Sequence, residues 1–318
     1  MKLIDMHCDT LWKLMDLDQR GDLKESGCSV TIPGMIQAGT IAQFFACFTY
    51  FEDYREKGGY EDAYRHVLEM IDFFDMQMKK FPGEIAHACS KEDMKKHEEE
   101  GRISAFLSVE EGGVVCGQMD RINELYRRGV RLLTPVWNYE NCFGHPNSRD
   151  RNVMEKGLKP FGTEAVEYMG EKGMILDVSH ASDGTFRDIL AHAKGPVVAS
   201  HSNCRALCSH PRNLTDEMIR ALAEKGGVAG LNLYGYFLSE TGESRIEGMA
   251  EHIVHMLRIG GSEFPAIGTD FDGFDGIEVL EIPGIHEMGR LWDALGKKGI
   301  PQSQIDKIQY KNAARIIS

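Results

Sequence analysis

Short apolar runs alternate with longer segments of helical period along the whole chain. Eight of these runs are rich in Val, Ile, Leu and Phe, which is typical of strands buried on both faces of a parallel sheet. The predicted strands are residues 3–6, 41–48, 103–109, 131–136, 174–178, 196–200, 227–233 and 265–269.

Between the runs, apolar residues recur at spacings of three and four. Residues 60–80, for example, place Tyr64, Val67 and Ile71 on one helical face. The predicted helices are residues 60–80, 119–128, 163–172, 185–193, 216–225, 248–259 and 286–298. Eight alternating units favour a TIM (β/α)8 barrel over a large open sheet, with residues 1–318 as a single domain. Residues 11–39 have no clear period and are predicted to form a long loop over the top of the barrel.

Composition and charge narrow the possible partners. With 42% hydrophobic and 27% charged residues, the chain has the profile of a globular protein. A formal charge of -13 at pH 7 argues against nucleic acid and anionic membranes as partners. We expect a cytoplasmic protein, because neither a signal-peptide pattern nor a membrane-length apolar run is found. The eight cysteines lack C-x-x-C spacing, so we expect reduced thiols.

Ionisable side chains follow five of the eight predicted strands. The active site of a TIM barrel lies at the C-terminal ends of its strands. Ionisable groups near a core are costly unless they are paired or bind a metal. The residues at these ends are His7 with Asp9, Glu110 with Glu111, His180, His201 and Asp270. The pattern predicts a metal site.

Four of these residues form two pairs that could each hold one ion. His7 and Asp9 are two apart on an extended segment and therefore share a face, although Asp9 could instead cap a helix. His180 and His201 end two similar apolar strands, and imidazole is a common zinc ligand. Either histidine alone would more often be a hydrogen-bonded core residue, but two at equivalent strand ends favour a metal site.

The carboxylates suggest a second ion. Glu110 lies between the two pairs in sequence, and a carboxylate can bridge ions about 3.5–4 Å apart. No strand end carries the lysine that bridges ions in many binuclear barrel hydrolases. Glu111 competes for this role, and Glu110 could instead be a rim carboxylate. Asp270 is predicted to ligate a metal and to exchange a proton with metal-bound water, while Asp272, before Gly273, suits a turn.

Together these residues resemble the renal (membrane) dipeptidase family of the amidohydrolase superfamily, nearly end to end. The motifs are His7-x-Asp9, Ser108-Val109-Glu110, Asp177-x-Ser179-His180, Ser200-His201-Ser202 and Gly268-Thr269-Asp270-Phe271-Asp272-Gly273. The resemblance implies a TIM barrel with two zinc ions that hydrolyses dipeptides, often with a D-residue at the C-terminal position. It also implies a homodimer. It gives one zinc to His7 and Asp9 and the other to His180 and His201, with Glu110 as the bridge and Asp270 handling the proton.

The resemblance also points to substrate-binding residues. Arg212 stands where the family has an arginine for the substrate carboxylate, although by itself it would suit a surface ion pair. Trp137 replaces a histidine that polarises the scissile carbonyl, and an indole has no ring-nitrogen lone pair for that task. The adjacent Asn138 amide could donate to an oxyanion instead.

The expected mechanism is attack on the peptide carbonyl by a hydroxide that bridges both zinc ions, with Asp270 passing the proton to the leaving amine. Two other hypotheses stay open. One is a different amidohydrolase barrel acting on a cyclic amide, a lactone or a deaminable base, against which the His-x-Asp motif and the absent lysine argue. The other is a catalytically weak, metal-containing binding barrel, which Trp137 keeps open.

Overall fold

The computed structural model describes residues 1–15 and 21–317. Its strands are β1 (Leu3–Cys8), β2 (Thr40–Phe48), β3 (Ile85–His87), β4 (Ile103–Glu110), β5 (Val130–Thr134), β6 (Ile175–Asp177), β7 (Val197–Val198), β8 (Ala229–Leu231) and β9 (Pro265–Ile267). All pairings between them are parallel, in the order β7-β6-β5-β4-β2-β1-β9-β8, and β3 adds to β4 outside this path. A bridge between Ala199 and Ala229 joins the two ends. The predicted TIM barrel is therefore confirmed.

Helices connect the strands. They are α1 (Thr10–Met15), α2 (Ile32–Ala38), α3 (Glu52–Arg55), α4 (Tyr60–Lys80), α5 (Lys91–Glu99), α6 (Met119–Arg127), α7 (Arg151–Met154), α8 (Pro160–Glu171), α9 (Asp183–His192), α10 (Asp216–Glu224), α11 (Gly235–Leu238), α12 (Ile246–Gly260), α13 (Gly289–Lys297), α14 (Gln302–Asp306) and α15 (Asn312–Ile316). Short turns of other helical types occur at Gly112–Val115, Ile285–Glu287 and Lys307–Lys311. None of the described helices has the length and apolar character needed to cross a bilayer.

The prediction of one long loop over residues 11–39 was wrong. This stretch contains most of α1 and all of α2, while residues 16–20 lie outside the described residues. The two helices have six and seven residues, too few to produce a visible hydrophobic period. The two capping residues of α2 are nevertheless of the types that a sequence can indicate. The Thr31 side chain accepts from the amide of Gly34, and Gly39 ends the helix at φ 71°.

Seven further strands and helices were not predicted from the sequence, and one predicted helix is divided in two. The seven are β3, α3, α5, α7, α11, α14 and α15. Strand β3 has only three residues, and α5 is a short, strongly polar helix. The helix predicted over residues 286–298 is a 3-10 turn followed by α13. The helix predicted over residues 60–80 has those bounds, and the other predicted helices and strands are present with shifted ends.

Alternation along β4 decides which side chains reach the barrel interior. Phe106 belongs to the apolar cluster inside the barrel, whereas Leu107 and Val109 belong to the layer between strands and helices. Glu110 is in phase with Phe106, so its side chain lies on the inner face. Below it, Ala313 and Ile316 from the C-terminal helix join the inner cluster and close the opposite end of the barrel.

Candidate metal centre

Glu110 lies at the centre of the polar cluster at the C-terminal ends of the strands. Its Oε2 atom is 3.2 Å from Nε2 of His7. Its Oε1 atom is 2.9 Å from Nε2 of His180 and 3.5 Å from Nε2 of His201. The two oxygens of one buried carboxylate therefore face two different groups of histidines.

The other predicted ligands surround the same point. Asp9 Oδ2 lies 3.3 Å, and Asp270 Oδ1 3.7 Å, from Nε2 of His7. Three overlapping sets have ligand atoms within 4.8 Å of one another: His7, Asp9 and Glu110; Glu110, His180 and His201; and His7, His201 and Asp270. All six residues predicted as metal ligands are thus brought together.

A hydrogen-bond relay fixes the ring of His201. The Ser200 hydroxyl donates to Oδ2 of Asp177 at 2.6 Å and lies 2.7 Å from Nδ1 of His201. Because a hydroxyl has a single proton, Ser200 must accept from Nδ1–H of the imidazole. This tautomer leaves the Nε2 lone pair facing the cluster, as a metal ligand requires.

His180 is held in the same tautomer by a loop that follows β5. Its Nδ1 atom lies 3.1 Å from Oδ1 of Asn138, which also accepts from Nδ2 of Asn147 at 3.2 Å. The backbone amide of Asn147 donates to the carbonyl of His180 at 2.8 Å. The oxygen of the Asn138 amide is therefore directed at His180, a contact that the sequence analysis did not anticipate.

The electrostatics of the two histidines favour a cation between them. Burial, reinforced by the charge of Arg212, lowers the pKa of His180 to about 4. Burial and the charge of His7 lower the pKa of His201 to about 3. Both rings are then neutral at pH 7 with their Nε2 atoms 3.1 Å apart, so two lone pairs face each other. Nη2 of Arg212, 3.0 Å from Nε2 of His180, supplies one donor.

The carboxylates of the cluster are also in an electrostatically unfavourable position. Burial raises the pKa of Asp9 to about 7 and that of Asp270 to about 6, against the attraction of His7. Burial alone would lower the pKa of His7, but Glu110 and Asp9 hold it well above its usual value. Within the described residues, Asp9 Oδ1 and His7 Nδ1 are buried without a hydrogen-bond partner. Close-set imidazole and carboxylate atoms with unmet bonding capacity fit a divalent ion such as zinc.

A cavity of about 760 Å³ opens above this cluster. The predicted substrate-binding residues Arg212, Trp137 and Asn138 all line it. Arg212 is buried, and its guanidinium donates to Oγ of Ser202 at 3.2 Å and to the carbonyl of Ser179. The cation is therefore held rigidly at the cavity wall.

Two neighbouring carboxylates lie outside the ligand cluster. Asp272 accepts from the Thr10 hydroxyl at 2.7 Å and from the Ser29 amide at 2.8 Å, so it anchors loops, consistent with the predicted turn. Glu111 accepts from the amides of Gly113 at 2.7 Å and Trp137 at 3.3 Å. Burial raises its pKa to about 7. Its contacts support the loop that carries Trp137, so the structure favours Glu110 over Glu111 as the central carboxylate.

The residues that orient these candidate ligands were not predicted from the sequence. Asn232 donates to Oδ2 of Asp270 at 2.8 Å, and Asp5 accepts from the Thr269 hydroxyl at 2.8 Å just before Asp270. Asp177 accepts from the hydroxyls and amides of the two serines that precede His180 and His201. Asp5 and Asp177 could have been suspected, since each is a charged residue inside an apolar strand.

Comparison with known proteins identifies the family. A family model described as membrane dipeptidase (peptidase family M19) matches residues 1–318. The chain belongs to this family. It is a metallo-dipeptidase by family, which confirms the predicted enzyme class and the resemblance.

The chain is also similar to individual proteins and to solved structures. An uncharacterized dipeptidase of Schizosaccharomyces pombe is 30% identical over 288 residues, covering 86% of this chain and 69% of the relative. An uncharacterized Klebsiella pneumoniae protein from the pqqA 5' region is 31% identical over 264 residues, covering 78% and 96%. A Rhodobacter sphaeroides metallo peptidase has a similar fold, with a TM-score of 0.88 at 22% identity over 99% of this chain and 98% of that one.

Proposed function

We propose that this dipeptidase works with two zinc ions bridged by Glu110. The observation that carries the proposal is that the two oxygens of Glu110 face different histidines, at 3.2 Å from His7 and 2.9 Å from His180. His7 and Asp9 would hold one ion, and His180 and His201 the other. The fixed Nδ1–H tautomers of His180 and His201 support this assignment, because each leaves Nε2 free to bind a metal.

Zinc, when bound, would supply polarisation of the scissile carbonyl and a water whose pKa is lowered to about 7. Asp270 would move the proton. Its Oδ2 is held by Asn232, while its Oδ1 faces the cluster, and burial raises its pKa to about 6. A carboxylate at this position can accept a proton from the attacking water and pass it to the leaving amine.

Arg212 would bind the carboxylate of the dipeptide. It is a rigid cation at the cavity wall, and a guanidinium fork matches a carboxylate in geometry. The Rhodobacter sphaeroides metallo peptidase was crystallised with a phosphinate mimic of L-Ala-D-Ala. We therefore include L,D-dipeptides in the proposed substrate class.

The test is to strip the purified protein with a chelator, restore zinc, and measure free alanine from L-Ala-L-Ala and L-Ala-D-Ala. We expect turnover only with zinc restored. Asp270→Asn should lower kcat by about 10²–10⁴-fold, because proton transfer is lost. Asp275→Asn is the matched control, since Asp275 lines the same cavity but its side chain is 81% exposed. No turnover of these two dipeptides and of L-Phe-L-Ala would refute the proposed function.

The oligomeric state, the cellular location and the number of domains stay predictions. The homodimer, the cytoplasmic location and the single domain over residues 1–318 were inferred from the sequence alone. Light scattering of the purified protein checks the oligomeric state directly, with a mass of about twice 35.7 kDa expected for the dimer.

A further inference from the structure

Aromatic side chains from three strand ends form one side of the cavity. We name this surface the aromatic wall: Trp12, Phe48, Tyr50 and Trp137. Its ring centroids are 5.2 Å apart for Trp12 and Phe48, 4.9 Å for Phe48 and Trp137, and 5.8 Å for Tyr50 and Trp137. These residues follow or end β1, β2 and β5, which lie on one arc of the barrel with β4. The wall is therefore continuous.

The opposite arc carries the proposed carboxylate-binding side. Arg212 follows β7, and its guanidinium carbon lies 5.1 Å from the ring centre of Phe237, which follows β8. Tyr234 links Phe237, at 4.8 Å, to Phe274 after β9, at 5.4 Å. In the closed barrel β2 lies four strands from β7, so Phe48 and Tyr50 face Arg212 across the metal cluster, whereas the two ends of the wall lie nearer to this side.

We propose that the aromatic wall binds the side chain of the N-terminal residue of the dipeptide, and that the preferred substrates carry a large apolar or aromatic residue there. The inference rests on the proposed function. If Arg212 holds the C-terminal carboxylate and the peptide bond lies at the metal cluster, the N-terminal residue must extend toward the far arc. That arc is where the aromatic wall lies.

The aromatic wall favours apolar side chains, because covering its rings removes apolar surface from water. Tyr50 is 39% exposed at the cavity mouth, so a bound apolar side chain would remove ring surface from water. Alanine is too small to cover the four rings, whereas a benzyl group fits a cavity of about 760 Å³. None of the four wall side chains carries a charge. An anionic N-terminal side chain would therefore lose hydration against this surface without gaining a partner from the four rings.

The test compares kcat/KM for L-Phe-L-Ala, L-Ala-L-Phe, L-Glu-L-Ala and L-Ala-L-Ala with the zinc-restored protein. We expect Phe-Ala to exceed Ala-Ala by about 10-fold or more, the ratio expected from burying one aromatic side chain, and Glu-Ala to fall below Phe-Ala. Trp137→Ala and Tyr50→Ala should each lower the Phe-Ala to Ala-Ala ratio by about fivefold or more, since each removes one ring of the wall. Ratios within one variant cancel any loss of active protein.

Phe274→Ala is the matched control, because Phe274 lines the same cavity and its ring contacts Tyr234 at 5.4 Å rather than a ring of the wall. It should lower the ratio of Ala-Phe to Ala-Ala and leave the ratio of Phe-Ala to Ala-Ala within about twofold of the wild type. The inference is overturned if the wild type shows no preference for Phe-Ala, if both wall variants keep the ratio, or if Phe274→Ala lowers it equally. Each of these results leaves dipeptide hydrolysis intact. Absence of turnover for every dipeptide would instead overturn the proposed function, and this inference with it.

Discussion

Replacing Ser200 with alanine would break the relay that orients His201. The Ser200 hydroxyl connects Oδ2 of Asp177, at 2.6 Å, with Nδ1 of His201, at 2.7 Å. Asp177 would keep other donors, including the Thr134 hydroxyl at 2.9 Å and the Ser179 hydroxyl at 2.6 Å. The loss therefore falls mainly on His201, whose Nδ1–H would have no acceptor in a buried site and whose ring would be free to turn.

The size of the effect follows from that lost contact. Removing a hydrogen-bond partner of a metal-binding histidine typically costs 10–100-fold in metal affinity. This range corresponds to about 1.4–2.7 kcal/mol, close to the cost of leaving one buried polar group unsatisfied. We therefore expect Ser200→Ala to weaken zinc binding by about 10–100-fold at the ion held by His201. The ion held by His7 and Asp9 should be affected less, since Ser200 touches neither residue.

The assay is zinc titration of the metal-free protein in competition with a chromogenic chelator of known affinity. Ser202→Ala is the matched control, because its hydroxyl accepts from Arg212 at 3.2 Å and donates to the Ser179 carbonyl at 3.4 Å, away from the ring nitrogens. It should keep the wild-type zinc affinity. If Ser200→Ala binds both ions as tightly as Ser202→Ala does, the relay does not orient the ligand and the argument fails.

Two further predictions concern substrate binding and stability. Arg212→Lys should raise KM for a dipeptide by about 10–100-fold with a smaller change in kcat, because a lysine cannot bind a carboxylate through two parallel N–H groups. An unchanged KM in steady-state kinetics would contradict the role of Arg212. One ring nitrogen of His252 accepts from the Cys204 amide at 3.1 Å, and the other lies 3.0 Å from the Leu238 carbonyl. Both ring nitrogens of the neutral imidazole therefore have partners, and burial lowers the pKa of His252 from 6.5 to about 4. Because the unfolded chain takes up this proton first, stability is lost as pH falls from 6.5 toward 4, by up to about 3 kcal/mol. Denaturant unfolding of the metal-free protein should show a shallower loss over this pH window in His252→Gln, and equal losses in both proteins would refute the assignment.

One physical reason explains why the sequence predicts both the barrel and the candidate ligand residues. Parallel strands buried on both faces produce continuous apolar runs, and the polar residues just after each run fall at the same end of the barrel. His7, Glu110, His180 and His201 were found in this way. The same logic failed over residues 11–39, because helices of six or seven residues leave no periodic signal.

The sequence could not predict how the side chains are oriented within the site. Spacing could not show that the carbonyl oxygen of Asn138 contacts His180, or that Ser200 accepts from His201. Such contacts join residues on different loops, and their direction depends on the tertiary structure. The choice between Glu110 and Glu111 also required it, since a backbone turn with φ 86° at Glu111 directs that side chain away from the cluster.

The most direct test of the two-ion centre is the zinc stoichiometry of Glu110→Gln, measured by calorimetric titration of the metal-free protein. The wild type should bind two equivalents tightly. The amide has a single oxygen, so Glu110→Gln should retain at most one tight equivalent, whereas the cavity-mouth variant Asp275→Asn should retain two. Two tight equivalents in Glu110→Gln, or only one in the wild type, would contradict a bridging Glu110.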